Sequence, residues 1–587
     1  MMKQIGDLTL TQIQEINQAN NSDNLQSYNV FVLRNIMLET IVPYLNYELL
    51  TLGLNLNLTI GEYDNAFQES IINKEEIKNS DLILIFLNIK TLSPILGNKF
   101  LESSSEELRI EVDRVKDYVS GLVENIRSES QNPILFYGFE TPLSSKLGVL
   151  EDQGIGLELS IYHELNSHIR SFYKENVLFI NADRLIARTG LPNFIDDRYW
   201  HIGKAPFRRE ALLSISTEIK KIVRALKGMS KKCLVLDCDN TLWGGVVGED
   251  GMEGIKVGPS YPGSPFYEFQ QEILSLRNRG VILALCSKNN EQDVIDVLNQ
   301  HSGMLIKEEH ISSHRINWQN KADNIREIAE ELNIGLDSFV FIDDSSFEIE
   351  LVNIELPQVT TIQVNPKRSI EYKGLLANCG LFDTLSFSKE DRKRGGMYKS
   401  EVSRKKSAKG TNNIDEYLES LGMKMTLGFC NETNIARISQ LTQRTNQFNL
   451  TTKRYTEGDI RQMVQSNHFR VIYFQLADKF GDYGIVGVCI LKLQDASFEI
   501  DTLLMSCRIL GRKVESTLIS ELELYSLREG IGNINGSFLR TKKNHQVEDL
   551  LDRFGYNVVT EDSGMKNYKK PIRDFEYKSP IEVLNKL

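Results

Sequence analysis

CLVLDCDNTLWGG, residues 233–245, joins an apolar run to a closely spaced pair of aspartates. A continuous apolar run of this length is typical of a strand that is buried on both faces of a parallel sheet. Asp237 and Asp239 follow the run at positions i and i+2, so both carboxylates are expected to point the same way at the carboxyl end of the strand. Two like charges in this arrangement favour a hard divalent cation between them.

Polar groups also follow two later strand-like runs. Residues 281–285 precede Ser287, residues 338–342 precede the pair Asp343–Asp344, and Lys321 begins a helical pattern between them. The carboxyl ends of the strands lie along one edge of a doubly wound sheet, so groups that are far apart in sequence can converge there. The sequence therefore predicts one site built from carboxylates, a hydroxyl and an ammonium group.

Phosphoryl transfer uses the groups that are expected at this edge. A carboxylate can attack phosphorus, a second acid can supply the leaving-group proton, and a metal with a lysine can neutralise the phosphoryl oxygens. Fifty residues separate Asp237 from Ser287, and 34 separate Ser287 from Lys321. These gaps leave no room for a large cap domain, which suggests a bulky or macromolecular substrate. The alternative is that the acids close turns in an unrelated α/β protein.

Composition bounds the class of protein. A length of 587 residues suggests three or four domains, and the formal net charge of -12 argues against a general nucleic-acid binder. The seven cysteines include no CxxC pair, which indicates a reducing compartment. No apolar run approaches the roughly 20 residues of a membrane span, and the start of the chain lacks a secretory segment. We expect a cytoplasmic protein without a membrane span.

The predicted fold class is multidomain α/β. Residues 1–225 alternate strand-like and helical patterns around a mostly parallel sheet. Residues 230–385 form a second α/β unit with a Rossmann-like pattern, and residues 412–587 an α+β unit with a central hairpin. Residues 386–411 between them are basic and poor in apolar side chains. A solvated linker helix is the simpler interpretation of this stretch, and docking of an acidic partner is the alternative.

The motifs DCDNT (237–241), Ser287, Lys321 and DD (343–344) stand in the order found in the haloacid dehalogenase (HAD) superfamily of aspartyl-phosphate phosphatases, which this part of the chain resembles. The resemblance implies a Mg²⁺ cofactor, with Asp237 as nucleophile and Asp239 as general acid/base. The implied metal ligands are Asp237, Asp239, Asp343 and Asp344. The implied phosphate-binding residues are Thr241, Ser287 and Lys321.

Longer motifs carry a narrower resemblance. GIKVGPSYPGSPFYEFQ (254–270), LCSKNN (285–290) and RTNQFNLTTKRYT (444–456) are similar to the FkbH subfamily, HAD class IIIC, and the likeness covers about residues 230–560. The subfamily implies a phosphorylated three-carbon acid donor such as 1,3-bisphosphoglycerate. It also implies loss of phosphate and loading of the glyceryl group onto the phosphopantetheine thiol of an acyl carrier protein, with a cysteine thioester as intermediate.

Cys286 is the predicted transfer thiol, because it directly precedes Ser287 at the phosphate-binding edge. The alternative is a cysteine at the end of a strand that packs as a small hydrophobic residue. Cys238 lies between the two aspartates, but strand alternation turns its side chain away from them.

The C-terminal region resembles acyltransferases of the GNAT fold, in which backbone N–H groups of a loop at a helix start bind the pantetheine phosphates. The matching loop is RILGRK (508–513), with Arg508 and Gly511 as the predicted arm-binding residues. Lys513 stands where that family has a small residue, which argues against tight coenzyme A binding. Asn446 and Asn449 are predicted to line the channel for the acyl group and the arm; the alternative is that they satisfy a turn.

Residues 1–225 resemble the SGNH-related N-terminal domain of the longer FkbH-like proteins, most clearly in FIDDRYWHIGKAPF (194–207). An SGNH esterase needs a serine after its first strand, and residues 33–37 contain none. Asp197 and His201 are present at a spacing one residue wider than that family uses. We expect a non-hydrolytic scaffold or substrate-docking domain.

The main functional hypothesis is a Mg²⁺-dependent HAD phosphatase and acyltransferase. It would dephosphorylate a phosphoglyceryl donor and load a glyceryl or related hydroxyacyl group onto an acyl carrier protein, in polyketide, lipid or surface-glycan modification. One alternative is a small-molecule phosphomonoesterase with a non-catalytic C-terminal binding module. Another is an acyltransferase of surface-glycan biosynthesis whose HAD part only binds.

Overall fold

The chain divides into two units, Met1–Arg224 and Ala225–Leu587, in the computed structural model. The structure describes residues 5–20, 25–153, 158–387, 397–398, 418–479, 481–494, 496–506, 509–541, 543–562, 564–573, 579 and 581–587. Most of the predicted basic linker lies outside these ranges. The residue bounds of the four predicted segments stay a prediction, and the strands of each sheet fall inside one of them.

The N-terminal unit contains a five-stranded parallel sheet in the order β2-β1-β3-β4-β5. Every residue of β3 and β4 is apolar and buried, because helices cover both faces. The strands are Gln26–Arg34, Leu54–Ile60, Leu82–Phe86, Ile134–Tyr137 and Val177–Ile180. The helices α1 to α12 are Leu10–Ala19, Val42–Leu50, Ala66–Ile72, Lys74–Asn79, Ile89–Leu92, Pro94–Gly97, Ser105–Glu129, Glu158–Ser171, Ala182–Thr189, Leu191–Phe194, Asp197–Gly203 and Arg209–Leu226.

The second unit begins with a five-stranded parallel sheet, here called the middle sheet, in the order β10-β9-β6-β7-β8. Its central strand β6 is the apolar run at the start of the quoted stretch, and all four of its residues are buried. Strands β6 to β10 are Cys233–Leu236, Ile282–Ser287, Ser313–Ile316, Phe339–Asp343 and Thr360–Gln363. Helices α13 to α18 are Val247–Gly254, Ser264–Asn278, Glu291–Gln300, Lys321–Leu332, Ser346–Glu355 and Leu375–Cys379.

The same unit ends with an eight-stranded mixed sheet, the C-terminal sheet, in the order β16-β17-β15-β14-β13-β12-β11-β18. Its neighbours run antiparallel except for the parallel pairs β14–β15 and β11–β18. Strands β11 to β18 are Lys424–Phe429, Phe469–Asp478, Gly481–Gln494, Ser497–Met505, Asn533–Leu539, Asn557–Asp562, Met565–Pro571 and Glu582–Asn585. Helices α19 to α22 are Ile435–Arg444, Glu457–Gln465, Val514–Arg528 and Leu550–Arg553.

These sheets confirm the predicted α/β class, with parallel Rossmann-like cores in several domains. Among the helices of the described ranges, none combines the length and the apolar character that a bilayer crossing requires.

Candidate active site

The middle sheet brings the predicted acids to one edge. Strands β9, β6 and β7 are adjacent and parallel, and Leu236 of β6 pairs with Ile342 of β9 and Leu285 of β7. Asp237 follows β6 directly, and Asp343 is the last residue of β9. Because parallel strands end at a common edge, these residues lie together.

Asp237, Asp343 and Asp344 form a group of carboxylates that could hold a metal ion, with one oxygen of each lying within 4.8 Å of the others. Asp237 and Asp343 are buried, and Asp344 is half-buried. Burial and the neighbouring Asp237 raise the pKa of both Asp343 and Asp344. Three clustered carboxylates with little access to water need a cation, and their hard oxygen donors suit Mg²⁺.

Lys321 supplies one positive charge to this group. It is the first residue of α16, and its Nζ donates to Asp237 Oδ1 at 2.9 Å and to Asp343 Oδ2 at 2.6 Å. Burial alone would lower the pKa of the ammonium group, but the two carboxylates outweigh burial and raise it. Lys321 therefore stays charged, and it holds the two acids in a fixed relation.

Asp239 lies beside this group but is held differently. Its Oδ1 accepts hydrogen bonds from Trp243 Nε1 at 2.8 Å and from the backbone N–H of Val247 at 3.0 Å, and its Oδ2 accepts one from Asn289 Nδ2 at 2.7 Å. Burial raises the pKa of Asp239, as suits a general acid. The carboxylate of Asp239 is not among the three that cluster, because three donors direct it elsewhere. The role of Asp239 as a metal ligand stays a prediction.

Asn289 and Trp243 are positioning residues that the sequence analysis missed. Both hold the carboxylate of Asp239 without belonging to a recognised motif position. Asn289 could have been predicted from its position, because it follows Ser287 by two residues and so lies at the same edge of the sheet.

Asn289→Ala is expected to lower the kcat of a reaction that uses Asp239 as its acid about tenfold and to leave KM unchanged. A positioned acid contributes roughly 10²- to 10⁴-fold in rate, and misplacing it loses a part of that. The neighbouring Asn290 precedes α15 and makes no capping hydrogen bond through its side chain. Asn290→Ala is thus the matched control, with activity near that of the wild type. Equal kcat values for the two variants would contradict this role for Asn289.

Thr241 and Ser287, the predicted phosphate-binding hydroxyls, are both buried. Ser287 ends β7, and its side chain hydrogen-bonds with Cys238. Thr241 Oγ1 has no hydrogen-bond partner within the described residues. An unpartnered buried hydroxyl costs free energy, so this loop gains stability from a ligand or water that bonds Thr241. The structure thus places both residues near Asp237, and their phosphate contacts stay a prediction.

Cys286 does not lie where the prediction of a transfer thiol requires. It is fully buried, burial raises its pKa to about 12, and its Sγ donates to the backbone oxygen of Lys321 at 3.7 Å. It belongs to an apolar cluster with Ala322 and Ile325 of α16. Cys286 lies on the face of β7 that α16 covers, so its thiol packs beneath that helix and is not open at the sheet edge. The alternative interpretation, a cysteine that packs as a hydrophobic residue, agrees with the structure.

Among the predicted arm-binding and channel residues that the structure describes, Asn449 does not line an open channel. Arg508 lies outside the described residues, as does Cys507. Gly511 has a φ of +75° in the loop before α21, a conformation that favours glycine. Asn449 is fully buried, where its Nδ2 donates to the Thr445 oxygen at 3.1 Å and its Oδ1 accepts from the Thr452 N–H at 2.9 Å. Asn449 therefore fixes a turn, which was the alternative.

The chain itself fills the gap that opens between β14 and β15. These parallel strands pair only through residues 498–500 and 534–536 and then diverge. Phe448 O accepts from Met505 N at 3.0 Å, Leu450 N donates to Leu503 O at 3.1 Å, and Leu450 O accepts from Leu539 N at 2.9 Å. Residues 448–450 thus occupy the facing edges of β14 and β15. The amide groups of a pantetheine arm cannot pair with these two edges in this state.

Asn446 lines a cavity of about 250 Å³ next to this filled gap. The opposite wall comes from the middle sheet, from Lys232 and from residues 333–338, which precede β6 and β9. The three carboxylates follow those same strands. The cavity and the carboxylates therefore lie at opposite edges of the middle sheet, and they do not form one site.

The N-terminal unit has its own cavity of about 560 Å³ at the carboxyl edge of its sheet. Asp197 lines it, whereas His201 is exposed and does not line it. Glu140, which follows β4, also lines the cavity and accepts a hydrogen bond from the Tyr137 hydroxyl at 2.9 Å. Burial raises the pKa of Glu140 to about 7.

This raised pKa predicts a pH-dependent stability. Glutamate in an unfolded chain has a pKa of about 4.3. Between this pH and pH 7, the folded unit holds a proton on Glu140 that the unfolded chain has lost, so the folded unit loses stability as the pH rises towards 7. Glu140→Gln keeps a partner for Tyr137 and cannot ionise. The midpoint of thermal unfolding should exceed that of the wild type at pH 8, and the difference should shrink towards pH 5. The exposed residue Glu106 provides the control variant Glu106→Gln, whose unfolding midpoint should follow that of the wild type with pH. If the midpoints of Glu140→Gln and the wild type change with pH in parallel, the prediction is contradicted.

No protein-family model matches the chain, and no curated protein matches it. Among solved structures, it is similar to the N-terminal part of a Bacteroides fragilis protein that contains a phosphatase domain and was crystallised with Mg. The identity is 29%, the match covers 64% of this chain and 99% of the other, and the TM-score is 0.57.

Two acetyltransferase structures also match. The ribosomal-protein-S18-alanine N-acetyltransferase of Escherichia coli is 14% identical over 26% of this chain and 96% of its own, with a TM-score of 0.21. A GNAT-family acetyltransferase of Listeria monocytogenes is 14% identical over 25% of this chain and 94% of its own, with a TM-score of 0.20. Scores this low establish nothing about the C-terminal sheet, whereas the Bacteroides fragilis likeness agrees with the α/β arrangement described above.

Proposed function

We propose that this chain is a Mg²⁺-dependent phosphatase of the HAD type. The observation that carries the proposal is the meeting of Asp237, Asp343 and Asp344 with the Lys321 ammonium group at one sheet edge. The magnesium of the Bacteroides fragilis phosphatase domain supports the cofactor. The fit of three hard oxygen donors to Mg²⁺ supports it independently.

The residues can divide the reaction as follows. The Asp237 carboxylate attacks phosphorus, the bond from phosphorus to the ester oxygen breaks, and Asp239 gives its proton to that oxygen. Asp239 then takes a proton from water, which attacks the aspartyl phosphate and releases inorganic phosphate while Asp237 is regenerated. When bound, Mg²⁺ supplies positive charge for the phosphoryl oxygens. Lys321 orients Asp237 throughout.

The finer proposal is that the chain transfers an acyl group from a phosphoglyceryl donor to the phosphopantetheine thiol of an acyl carrier protein. The FkbH-like motifs over residues 230–560 support it. Because Cys286 is buried, we propose that the carrier thiolate attacks the acyl phosphate directly. The bond from carbon to sulfur forms as the bond from carbon to the phosphate oxygen breaks, and no thiol of this chain is needed.

The test is to incubate the protein with Mg²⁺, a phosphoglyceryl donor and a holo acyl carrier protein, and to weigh the intact carrier. A glyceryl adduct without its phosphate that depends on Asp237 supports the full proposal. Cys286→Ala should form the adduct at the wild-type rate, which separates direct transfer from a thioester on this chain.

A small-molecule phosphomonoesterase is the second candidate, and the filled gap between β14 and β15 favours it, because residues 448–450 bond to both strands there. Free phosphate without any carrier adduct in the same experiment would support this candidate.

Metal removal provides a further prediction. Chelation by EDTA should abolish phosphatase activity, and Mg²⁺ should restore it. Asp344→Asn removes one carboxylate from the group and should raise the Mg²⁺ concentration for half-maximal activity about tenfold or more, because each hard ligand charge contributes to affinity. Full activity in EDTA would contradict the proposed cofactor.

A further inference from the structure

The cavity beside Asn446 has walls from both sheets of the second unit. Lys232 and residues 333–338 come from the middle sheet and the segments next to it, whereas residues 444–448 and Lys543 come from the C-terminal region. Pockets for drug-sized ligands measure about 300–1,000 Å³. A cavity of about 250 Å³ therefore suits a smaller molecule.

Positive side chains dominate the walls of this cavity. The lining cations are Lys232, Arg437, Arg444 and Lys543. Asp337 is the one carboxylate among the lining residues that the structure describes, and it pairs with Lys543. The chain as a whole has a formal net charge of -12. The charge of the walls is thus opposite in sign to that of the chain.

Two helix ends compensate a part of this positive charge. Helix α16 ends just before the lining residue Asn333, and α19 ends at Arg444, whose backbone oxygen accepts a hydrogen bond from Lys232 Nζ at 2.6 Å. Each helix C-terminus carries about -0.5 of an elementary charge. The four lining cations exceed Asp337 and the two helix ends together by about two charges. An anion with two negative charges would balance the walls.

Arg454 adds a positive charge behind the wall. Its guanidinium donates to the backbone oxygen of Thr445 at 3.1 Å, to that of Thr442 and to Asn446 Oδ1. Within the described part of the chain, every acceptor of Arg454 is neutral. Burial lowers the pKa of Arg454 to about 10, so the group stays charged at neutral pH. A cation that lacks a carboxylate partner away from water is stabilised by an anion nearby.

Arg454 also fixes the orientation of Asn446. A guanidinium group can only donate, so the amide oxygen of Asn446 faces Arg454. The amide Nδ2 of Asn446 is then the group that this residue can offer to a ligand in the cavity that it lines. The walls therefore combine excess positive charge with an oriented neutral donor.

We propose that this cavity is a second ligand site, which binds a small oxyanion carrying two or more negative charges. Arg444 and Asn446 donate to the anion, and the anion joins the middle sheet to the C-terminal sheet. The carboxylates of the candidate active site lie at the opposite edge of the middle sheet. The site is thus separate from the phosphatase chemistry and does not depend on the proposed function.

Titration calorimetry of the full chain with methylenediphosphonate tests the site. No Mg²⁺ is added, so the three active-site carboxylates repel the probe. Arg444→Met should weaken binding about tenfold or more, because it removes a charged donor. Arg553→Met is the matched control. Arg553 ends α22, does not line the cavity, and has a side chain that is 48% exposed and pairs with Asp549. The control removes the same charge outside the cavity and should leave the Kd unchanged.

Asp337→Asn should act in the opposite direction. It removes the lining carboxylate and releases Lys543, so it should tighten binding about threefold or more. A misfolded variant cannot imitate a gain in affinity. Asp237→Asn, in the candidate active site, should bind the probe as the wild type does. Acetate, with a single charge, should bind the wild type at least about tenfold more weakly than methylenediphosphonate.

Three results would overturn the second site. The first is a wild-type protein that shows no heat of binding with millimolar probe. The second is a Kd that neither Arg444→Met nor Asp337→Asn changes. The third is loss of binding in Asp237→Asn, which would place the probe in the candidate active site. The proposed phosphatase activity is measured separately and stands or falls on its own assays.

Discussion

Asp237→Asn should lower phosphatase kcat by about four orders of magnitude or more, because an amide cannot form the phosphoryl intermediate. The fold should persist, since Asp343 still pairs with Lys321 at 2.6 Å. The measurement is turnover of p-nitrophenyl phosphate with Mg²⁺, together with intact-mass detection of a phosphoryl adduct on the wild type.

Asp323 provides the control for this substitution. It lies two residues after Lys321 on α16, its side chain is 57% exposed, and it pairs only with Arg326 among the salt bridges seen. Asp323→Asn should keep activity near that of the wild type. If the kcat of Asp237→Asn is within about tenfold of the wild-type value, Asp237 is not the nucleophile, because loss of a covalent nucleophile lowers kcat far more than tenfold.

Lys321→Met should have the second largest effect, on stability as well as on activity. The side chain of Lys321 is 4% exposed and pairs with two acids that are 7% and 0% exposed. Removing one partner of a buried ion pair costs about 3–5 kcal/mol, because the remaining charge is left without compensation. Here two carboxylates lose their shared cation, so thermal unfolding of the second unit should shift to lower temperature.

Magnesium should partly reverse this loss. A cation held by Asp237, Asp343 and Asp344 can replace some of the missing charge, so added Mg²⁺ should raise the unfolding temperature of Lys321→Met more than that of the wild type. The exposed lysine Lys373, which pairs with Glu268, provides the control. Lys373→Met should change stability by less than about 1 kcal/mol. A Lys321→Met variant as stable as the wild type without metal would contradict the role of the ammonium group.

The central strands were predictable because their signal is local. β6, β7 and β9 are nearly continuous apolar runs, and each is followed by a polar group at the shared edge. β8 and β10, with the sequences SHRI and TTIQ, were not identified, because edge strands need not be apolar on both faces. The convergence of distant acids was predictable because the parallel strands of one sheet end at a common edge.

Cys286 shows where sequence adjacency misleads. Nearness to Ser287 in the chain suggested an accessible thiol at the phosphate-binding edge, but α16 covers the sheet face on which Cys286 lies and buries the thiol. Asn289 lies at the same edge of the sheet as Asp239, but it was missed because no recognised motif marks an amide at its position.

By itself, the sequence determined the parallel core, the meeting of Asp237 with Asp343, and the candidate chemistry, because strand periodicity and short motifs are local properties. Only the tertiary structure decided which side chains face the cation and which face the core. It also decided that residues 448–450 close the gap between β14 and β15, and that the adjoining cavity lies at the opposite edge of the middle sheet from the carboxylates. These outcomes depend on long-range pairing, whose free energy is set by contacts between segments that no local pattern encodes.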